Sequence, residues 1–112
     1  MDRLRAERLL NDSEVAGAVM RLAERRGLGS RRVVQQLKRR GIGEDDAVDA
    51  IGDARIGDLE RALALMGRRY PEGVADDRRL QARVARFLLG RGFPTDVAFA
   101  ALKASKKLTF EA

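Results

Sequence analysis

The chain's 112 residues are enough for one small domain or a short array of repeats, and 23 Lys and Arg against 17 Asp and Glu residues give a formal net charge of +6. Cysteine and histidine are both absent, which excludes disulfides, a cysteine nucleophile and a structural zinc site built on these ligands. The excess of cations, mostly arginine, is typical of a protein with a polyanionic partner, but a merely solvated charged face has the same composition. No apolar run reaches the length of a membrane span and the first residues lack a secretory signal, so we expect a cytoplasmic protein.

Apolar residues recur at helical spacing along almost the whole chain, and no segment alternates apolar and polar residues for long enough to indicate a strand. We therefore predict an all-α protein of six to seven helices. A leading segment, residues 2–10, is expected to be helical. The next helix is predicted to begin near Asn11, where Glu14 completes a capping-box pattern. Another is predicted from Gly29-Ser30 to Gly41, with Ser30 as its cap.

Four more helices follow in the second part of the chain. One begins at the acids of residues 44–46, which suit the positive end of a helix dipole. The others are predicted at about 58–69, which Pro71 ends, at about 77–91, and from Pro94 onward. The side chains expected to face inward are Ala47, Val48 and Ile51 on the first of the four helices, Leu59, Ala62, Leu63 and Met66 on the second, Leu80, Val84, Phe87 and Leu88 on the third, and Val97, Ala98, Ala101 and Leu102 on the last. With Leu37 from the preceding helix, Ile51, Leu63, Met66, Val84, Phe87, Leu88 and Leu102 are predicted to form the centre of the core.

The second half of the chain repeats the first. Arg40-Gly41-Ile42 and Arg91-Gly92-Phe93 lie 51 positions apart, whereas upstream matches such as Asp12 and Asp58 lie 46 positions apart. The difference fits an insertion in the loop at residues 71–76. We predict a leading segment at 1–10, three-helix repeats at 11–56 and 57–105, and a tail at 106–112.

The repeated glycines have a structural interpretation. Each follows the end of an apolar helix face, where glycine accepts the left-handed conformation that closes a helix. We expect a positive φ at Gly41 and Gly92, with the next residue folding back onto the helix.

The sequence favours no catalytic residue, cofactor site or metal site. Without histidine the usual general base is missing, and no serine has an obvious base beside it. The acids between Glu44 and Asp53 could be imagined as metal ligands, but helix-start capping and solvation explain them better. The stretch from Gly27 to Ser30 lacks the pattern of a phosphate loop. We expect a binding protein and not an enzyme, with no small-molecule substrate.

Basic residues form the remaining signal. Arg79, Arg83 and Arg86 share one helix face, and Arg31 and Lys38 have the same spacing on an earlier helix. Like charges stacked in this way cost about a few tenths of a kcal/mol each, which favours a face presented to an anionic partner. Long arginines covering an apolar rim are the alternative. The predicted partner or nucleic-acid contacts are Arg31, Arg32, Lys38, Arg79, Arg83 and Arg86. Aromatic residues are few and most of them lie on predicted core stripes, so base stacking is not indicated.

Three stretches together resemble the bacterial RecX family. They are Leu10-Asn11-Asp12 at the start of a helix carrying Ala16, Gly29–Val34 continuing through Leu37 to Arg40-Gly41-Ile42, and Arg83–Phe93 followed by Asp96-Val97 and Ala101-Leu102. The last stretch is the most specific, and the three cover most of the chain.

The resemblance implies tandem three-helix repeats and a function in DNA repair, recombination and the SOS response. Family members bind the RecA nucleoprotein filament, usually inhibit its ATPase and strand-exchange activities, and need no cofactor. Weak DNA binding is also associated with the family. The family usually has three repeats and this chain has two, so residues 2–9 are interpreted as the last helix of a further repeat. The alternatives are a protein that binds DNA directly without acting on RecA, and a helical scaffold for another protein.

Overall fold

The described part of the chain forms six α-helices and one 3₁₀ helix, with no strand. A computed structural model describes the backbone of residues 2–74 and 76–111, and the side chains of residues 12–74 and 76–105. The helices are α1 (Asp2–Arg26), α2 (Ser30–Arg39), the 3₁₀ helix (Glu44–Ala47), α3 (Val48–Ile56), α4 (Asp58–Arg69), α5 (Arg78–Gly90) and α6 (Thr95–Glu111). The all-α, tandem three-helix prediction is confirmed. We call α1 to α3 the first repeat and α4 to α6 the second.

The first helix is longer than predicted. α1 runs without a break from Asp2 to Arg26, through Asn11, so the predicted helix start and capping box at Asn11 are wrong. A capping residue needs non-helical backbone angles, and residues 3–10 contain neither glycine nor proline to end the leading helix. The last helix is also longer, since α6 continues to Glu111 where a patternless tail was expected.

Three helices end at glycines with a positive φ. The prediction is confirmed at Gly41 (φ 80°) and Gly92 (φ 93°), and Gly27 (φ 67°) ends α1 in the same conformation. After Gly41, the Ile42 N–H donates to the Leu37 carbonyl at 2.9 Å, and the Phe93 N–H donates to the Leu88 carbonyl at 3.2 Å. These are the bonds of a Schellman cap, which fold the chain back over the last helical turn.

The buried apolar residues form two clusters, one in each repeat. The first includes Val19, Ala23, Val33, Leu37, Ile42, Ile51 and Ala54. The second includes Ala62, Leu65, Met66, Val84, Leu88, Phe93, Ala101 and Leu102. Within the second repeat, α6 packs against both α4 and α5. Each repeat therefore has its own core.

Several residues expected to face inward do not. Val48 is 62% exposed and Leu59 is 39% exposed. Phe99, which lies beside the predicted inward-facing stripe of the last helix, is 59% exposed. Val48 follows the 3₁₀ helix directly, and the tighter turn of that helix shifts the phase of the inward-facing stripe.

Phe87, predicted at the centre of the core, is only half-buried at its edge. Its ring contacts Tyr70 edge-on, with centroids 6.0 Å apart. The guanidinium carbons of Arg69 and Arg91 lie 5.4 Å and 5.5 Å from the Phe87 ring centroid. The Phe87 ring thus packs against the apolar core and also makes cation–π contacts with two arginines. Leu63 is likewise half-buried and packs against the same core.

Candidate partner-binding surface and the junction behind it

A buried polar cluster joins the first repeat to the second. Asp58, the first residue of α4, is 1% exposed. Its carboxylate accepts hydrogen bonds from the Ser30 backbone N–H, at 2.7 Å, and from the Ser30 hydroxyl. Arg61 donates to the same carboxylate at 2.9 Å. Arg61 also donates to the carbonyl oxygens of Leu28, at 3.0 Å, and Ala54, at 2.6 Å, so that one guanidinium binds both repeats.

This cluster caps α2 from another helix. The N-cap residue of α2, Gly29, makes no side-chain cap bond, and the first turn of α2 has no acidic residue. The prediction that Ser30 is the cap is therefore wrong: Ser30 is the first helical residue and its hydroxyl donates to Asp58. The Asp58 carboxylate supplies both the missing acceptor and a negative charge at the positive end of the α2 dipole.

A second set of contacts ties the start of α2 to the turn after α5. The Gly29 N–H donates to the Arg91 carbonyl and the Arg31 N–H donates to the Gly92 carbonyl, both at 2.9 Å. The Arg32 guanidinium donates to the Gly90 carbonyl at 2.7 Å. The free N–H groups at the start of α2 thus meet the free carbonyls at the end of α5, an arrangement that satisfies both helix ends.

Two glycines allow this close approach. A Cβ added to Gly29 would lie 2.3 Å from the backbone of Gly92 and Phe93, and a Cβ added to Gly92 would lie 2.5 Å from the Arg32 Cβ. At Gly41, the repeat equivalent of Gly92, an added Cβ would meet nothing within 4 Å. The two turns therefore share a backbone conformation, but only the turn at Gly92 is pressed against another repeat.

The cations predicted on α2 have three different environments. Arg31 is exposed on the first turn of α2. Arg32 is half-buried, and its guanidinium is held in the junction by the Gly90 carbonyl. Lys38 lies near the other end of the helix and forms an ion pair with Glu44 at 3.3 Å, with both side chains 60% exposed. Arg32 therefore differs from the other two cations, because its guanidinium is bonded to the second repeat.

The cations predicted on α5 are all exposed. Arg79, Arg83 and Arg86 follow one another at helical spacing on α5. Arg86 makes one long bond, 3.4 Å from its Nε to the carbonyl of Ala82 on the same helix. All three predicted contact residues on α5 are thus exposed, and we call them the α5 cationic face.

Other chemistry is not indicated in the described residues. No group of three or more acidic side chains there is arranged to hold a metal ion. Glu44, Asp45 and Asp46 are exposed, and the N-cap of the 3₁₀ helix, Gly43, has no side-chain cap bond. These acids are therefore explained by solvation. None of the helices in the described part of the chain is long and apolar enough to cross a membrane.

Sequence reasoning missed the junction residues. Asp58 lies at a helix start, where an acid is ordinarily explained by its own helix, and nothing in the sequence indicates a partner 28 positions earlier. The role of Arg61 was not predicted either, because nothing in the sequence distinguishes it from the many other arginines. The available signal was the pair Gly29-Ser30: glycine at a helix start leaves the cap vacant, so an acceptor from elsewhere is needed.

The chain is similar to the curated proteins named regulatory protein RecX. It is 35% identical over 105 residues to the one from Halorhodospira halophila, which is 94% of this chain and 65% of that protein. It is 41% identical over 98 residues to the one from Leptothrix cholodnii, 87% of this chain and 60% of that protein. The relative from Pseudomonas putida strain W619 is 32% identical over 97 residues, 87% of this chain and 62% of that protein. The chain thus spans about three-fifths of the length of these curated relatives.

A family model agrees with these similarities. The model described as RecX, third three-helix domain, matches residues 57–102, a range that contains α4, α5 and the first part of α6. No solved structure gives a significant match to the chain.

Proposed function

The chain belongs to the RecX family, and on this premise we propose that it is a regulatory protein that binds the RecA nucleoprotein filament and inhibits RecA's ATPase and recombinase activities in DNA repair and recombination. The observation that carries the proposal is the similarity to proteins named regulatory protein RecX over 94% of the chain. The protein acts by binding, without a catalytic centre or cofactor, and it does so in the cytoplasm.

The geometry supports a rod-like binding protein. The molecule measures 59 × 21 × 18 Å along its principal axes, and the Ser30–Asp58–Arg61 cluster fixes one repeat against the other. A filament is a repeating surface of acidic protein groups and phosphates. An elongated body with cations on both repeats can engage several subunits along such a surface at once.

We assign the partner contacts to the exposed cations Arg31, Lys38, Arg79, Arg83 and Arg86. The Lys38–Glu44 pair is exposed, and such pairs are worth about 0–1 kcal/mol. An anion of the filament can therefore replace Glu44 at little cost. Arg32 contributes differently: its guanidinium is engaged by the Gly90 carbonyl, so in this proposal it positions α2 and its neighbour Arg31.

The test is RecA ATPase activity on single-stranded DNA with and without the protein. We compare wild type with a variant in which Arg79, Arg83 and Arg86 are all changed to Glu. The matched control changes Arg25, Arg55 and Arg68 to Glu; these are exposed arginines on α1, α3 and α4, outside the assigned contacts. Both variants carry the same net charge, so a difference between them reports the location of the charge.

We expect wild type and the control to lower the ATPase rate and the α5 variant to lose the effect. Added salt should weaken the wild-type effect, because exposed charges are screened. A folded α5 variant that inhibits like wild type would refute the cationic-face assignment and leave the regulatory proposal standing. Wild-type protein with no effect on RecA would refute the regulatory proposal itself.

Direct DNA binding is the second candidate function. The net charge of +6 and the exposed arginines of α5 favour it. It predicts binding of bare duplex or single-stranded DNA in the absence of RecA, with a strong salt dependence. Binding of bare DNA together with no effect on RecA ATPase would favour this candidate over the first.

A further inference from the structure

An apolar groove runs between α5 and α6 on the second repeat. It has a volume of about 620 Å³, and its described lining includes Ala82 from α5 and Phe99 and Leu102 from α6. Leu102 is buried and belongs to the core, whereas Phe99 is 59% exposed. A single exposed aromatic ring is common on protein surfaces, but here the ring lines a concave apolar groove, and concave apolar surfaces are where ligands bind.

The edges of this groove are cationic. Arg78 and Arg86 lie on its α5 side and Lys103 lies on its α6 side, and all three are exposed. No acidic side chain is among the described residues that line the groove. The groove therefore combines an apolar interior with positive edges.

The first repeat supplies an internal comparison. At the offset of 51 positions, Phe99 corresponds to Val48, which is 62% exposed, while Arg86 and Lys103 correspond to Gln35 and Gly52. The surface pocket that Val48 lines also contains the acids Asp45, Asp46, Asp49 and Asp53. Both repeats thus expose an apolar residue at this position, but only in the second repeat do cations line the same groove.

We propose that the α5–α6 groove binds an acidic amphipathic helix of a partner protein. The lining residues recur at helical spacing on each side, at Arg78, Ala82 and Arg86 on α5 and at Phe99 and Lys103 on α6, so the groove follows the helix axes. This is the shape that accepts an apolar helix face in helix-in-groove recognition. The described residues contain no strand edge on which an extended peptide could pair.

The spacing of the cations defines the ligand further. Arg78 and Arg86 are separated by about 12 Å along α5 at a rise of about 1.5 Å per residue. The bound helix therefore carries apolar residues on one face and acids on either side of that face, with two of the acids about two turns apart. The groove binds such a helix whichever protein supplies it, so the inference goes beyond the proposed function.

A nucleic acid fits this groove less well. Stacking of single-stranded bases needs successive aromatic platforms, and Phe99 is the one aromatic in the described lining. The alanine and leucine side chains around it match aliphatic side chains of a protein ligand better than they match bases.

The experiment uses the full chain and a fluorescein-labelled synthetic helix of about four turns, with Leu on one face and Glu and Ala elsewhere. Binding is measured by fluorescence anisotropy. Two further peptides carry Lys in place of every Glu, or Ser in place of every Leu. The test variant is Phe99→Ser and the matched control is Val48→Ser, an exposed apolar residue at the equivalent position of the first repeat. A second pair is Arg86→Glu and its control Arg55→Glu, an exposed arginine on α3.

We expect the Glu peptide to bind and the Lys and Ser peptides to bind at least tenfold more weakly. Phe99→Ser and Arg86→Glu should each weaken the Glu peptide tenfold or more, while Val48→Ser and Arg55→Glu leave its affinity unchanged. Equal binding to wild type and Phe99→Ser overturns the proposal. So does equal binding of the Glu and Lys peptides.

Two other occupants give distinct results. If a labelled thymidine oligonucleotide binds with dependence on Phe99 and the Glu peptide does not, the groove is a base-stacking site and the proposal is wrong. If sedimentation shows self-association that Phe99→Ser abolishes, a second copy of this chain occupies the groove, and the proposal is again wrong.

Discussion

Asp58 caps α2 through Ser30, although the two residues lie in different repeats: its carboxylate accepts both the backbone N–H and the hydroxyl of Ser30. Helix caps are ordinarily local, formed by the residue next to the helix. Here the cap of a helix in the first repeat belongs to the first residue of the second repeat. The start of α2 is therefore satisfied only when α4 is folded beside it.

Replacing Asp58 by alanine should be strongly destabilising. The change leaves the Ser30 N–H and hydroxyl, and the Arg61 guanidinium, without their acceptor in a buried site. Removing one partner of a buried pair costs about 3–5 kcal/mol, which urea denaturation followed by circular dichroism will measure. Glu60→Ala is the control, because Glu60 is an exposed acid on the same helix and should change stability by no more than about 0.5 kcal/mol. Similar losses in the two variants would contradict the cap assignment.

The two Schellman glycines should respond differently to alanine. Gly41→Ala places an L side chain in the left-handed region, at a cost of about 1–2 kcal/mol, with open space for the methyl group. Gly92→Ala has the same backbone strain and also pushes a methyl group against Arg32. Forced overpacking adds about 1–3 kcal/mol. The difference between the two unfolding free energies measures the tightness of the repeat junction, and equal values would mean that the junction opens freely.

Phe93 should matter more to stability than Phe87. Phe93 is fully buried, and Phe→Ala at such a site costs about 3–5 kcal/mol. Phe87 is half-buried, at the edge of the same core, so Phe87→Ala should cost less than Phe93→Ala. Thermal melts of the two variants under one condition will rank them. If Phe87→Ala lowered the melting temperature more than Phe93→Ala, our assignment of Phe93 to the centre of this core would be wrong.

Charge reversal should separate the roles of neighbouring arginines. Arg32→Glu removes the bond to the Gly90 carbonyl and places a carboxylate against that oxygen, so the unfolding midpoint in urea should fall. Arg31→Glu changes an exposed side chain and should leave the free energy of unfolding within about 0.5 kcal/mol of wild type, while it weakens the binding of an anionic partner. Urea unfolding and partner binding are both measured for each of the two variants. A stable Arg32→Glu protein would show that the Gly90 contact contributes little.

Local properties of the sequence predicted the fold well. Gly41 and Gly92 were identified as helix ends because the left-handed conformation depends on the glycine itself and on the few residues before it. The helical spacing of Val84 and Leu88 likewise placed them in the core, where both are fully buried. Such features can be predicted because their physical cause lies within a few residues in the chain.

Two kinds of feature were not predicted: contacts between residues far apart in sequence, and side-chain directions that depend on how the preceding helix turns. Ser30 looked like its own helix cap because Asp58 is remote in sequence. Val48 fitted an inward-facing stripe with Ile51, but the 3₁₀ helix before it changes the rotation per residue, and Val48 faces outward. Phe99 neighbours the buried stripe of Ala98, Ala101 and Leu102, and periodicity alone does not show that a large ring beside that stripe remains outside. The partner contacts stay predictions, because exposure is compatible with both a binding face and a solvated one.

The cap that Asp58 of the second repeat provides at Ser30 has a consequence for how the molecule unfolds. In tandem-repeat proteins, stability is approximately the sum of the stability of each repeat and a coupling term between neighbours. Here the coupling includes a buried carboxylate, a guanidinium that binds both repeats and a pair of interlocked glycine backbones. Opening the junction exposes all of them at once, so neither repeat melts much before the other. The two cores are separate in space and should nevertheless unfold as one cooperative unit.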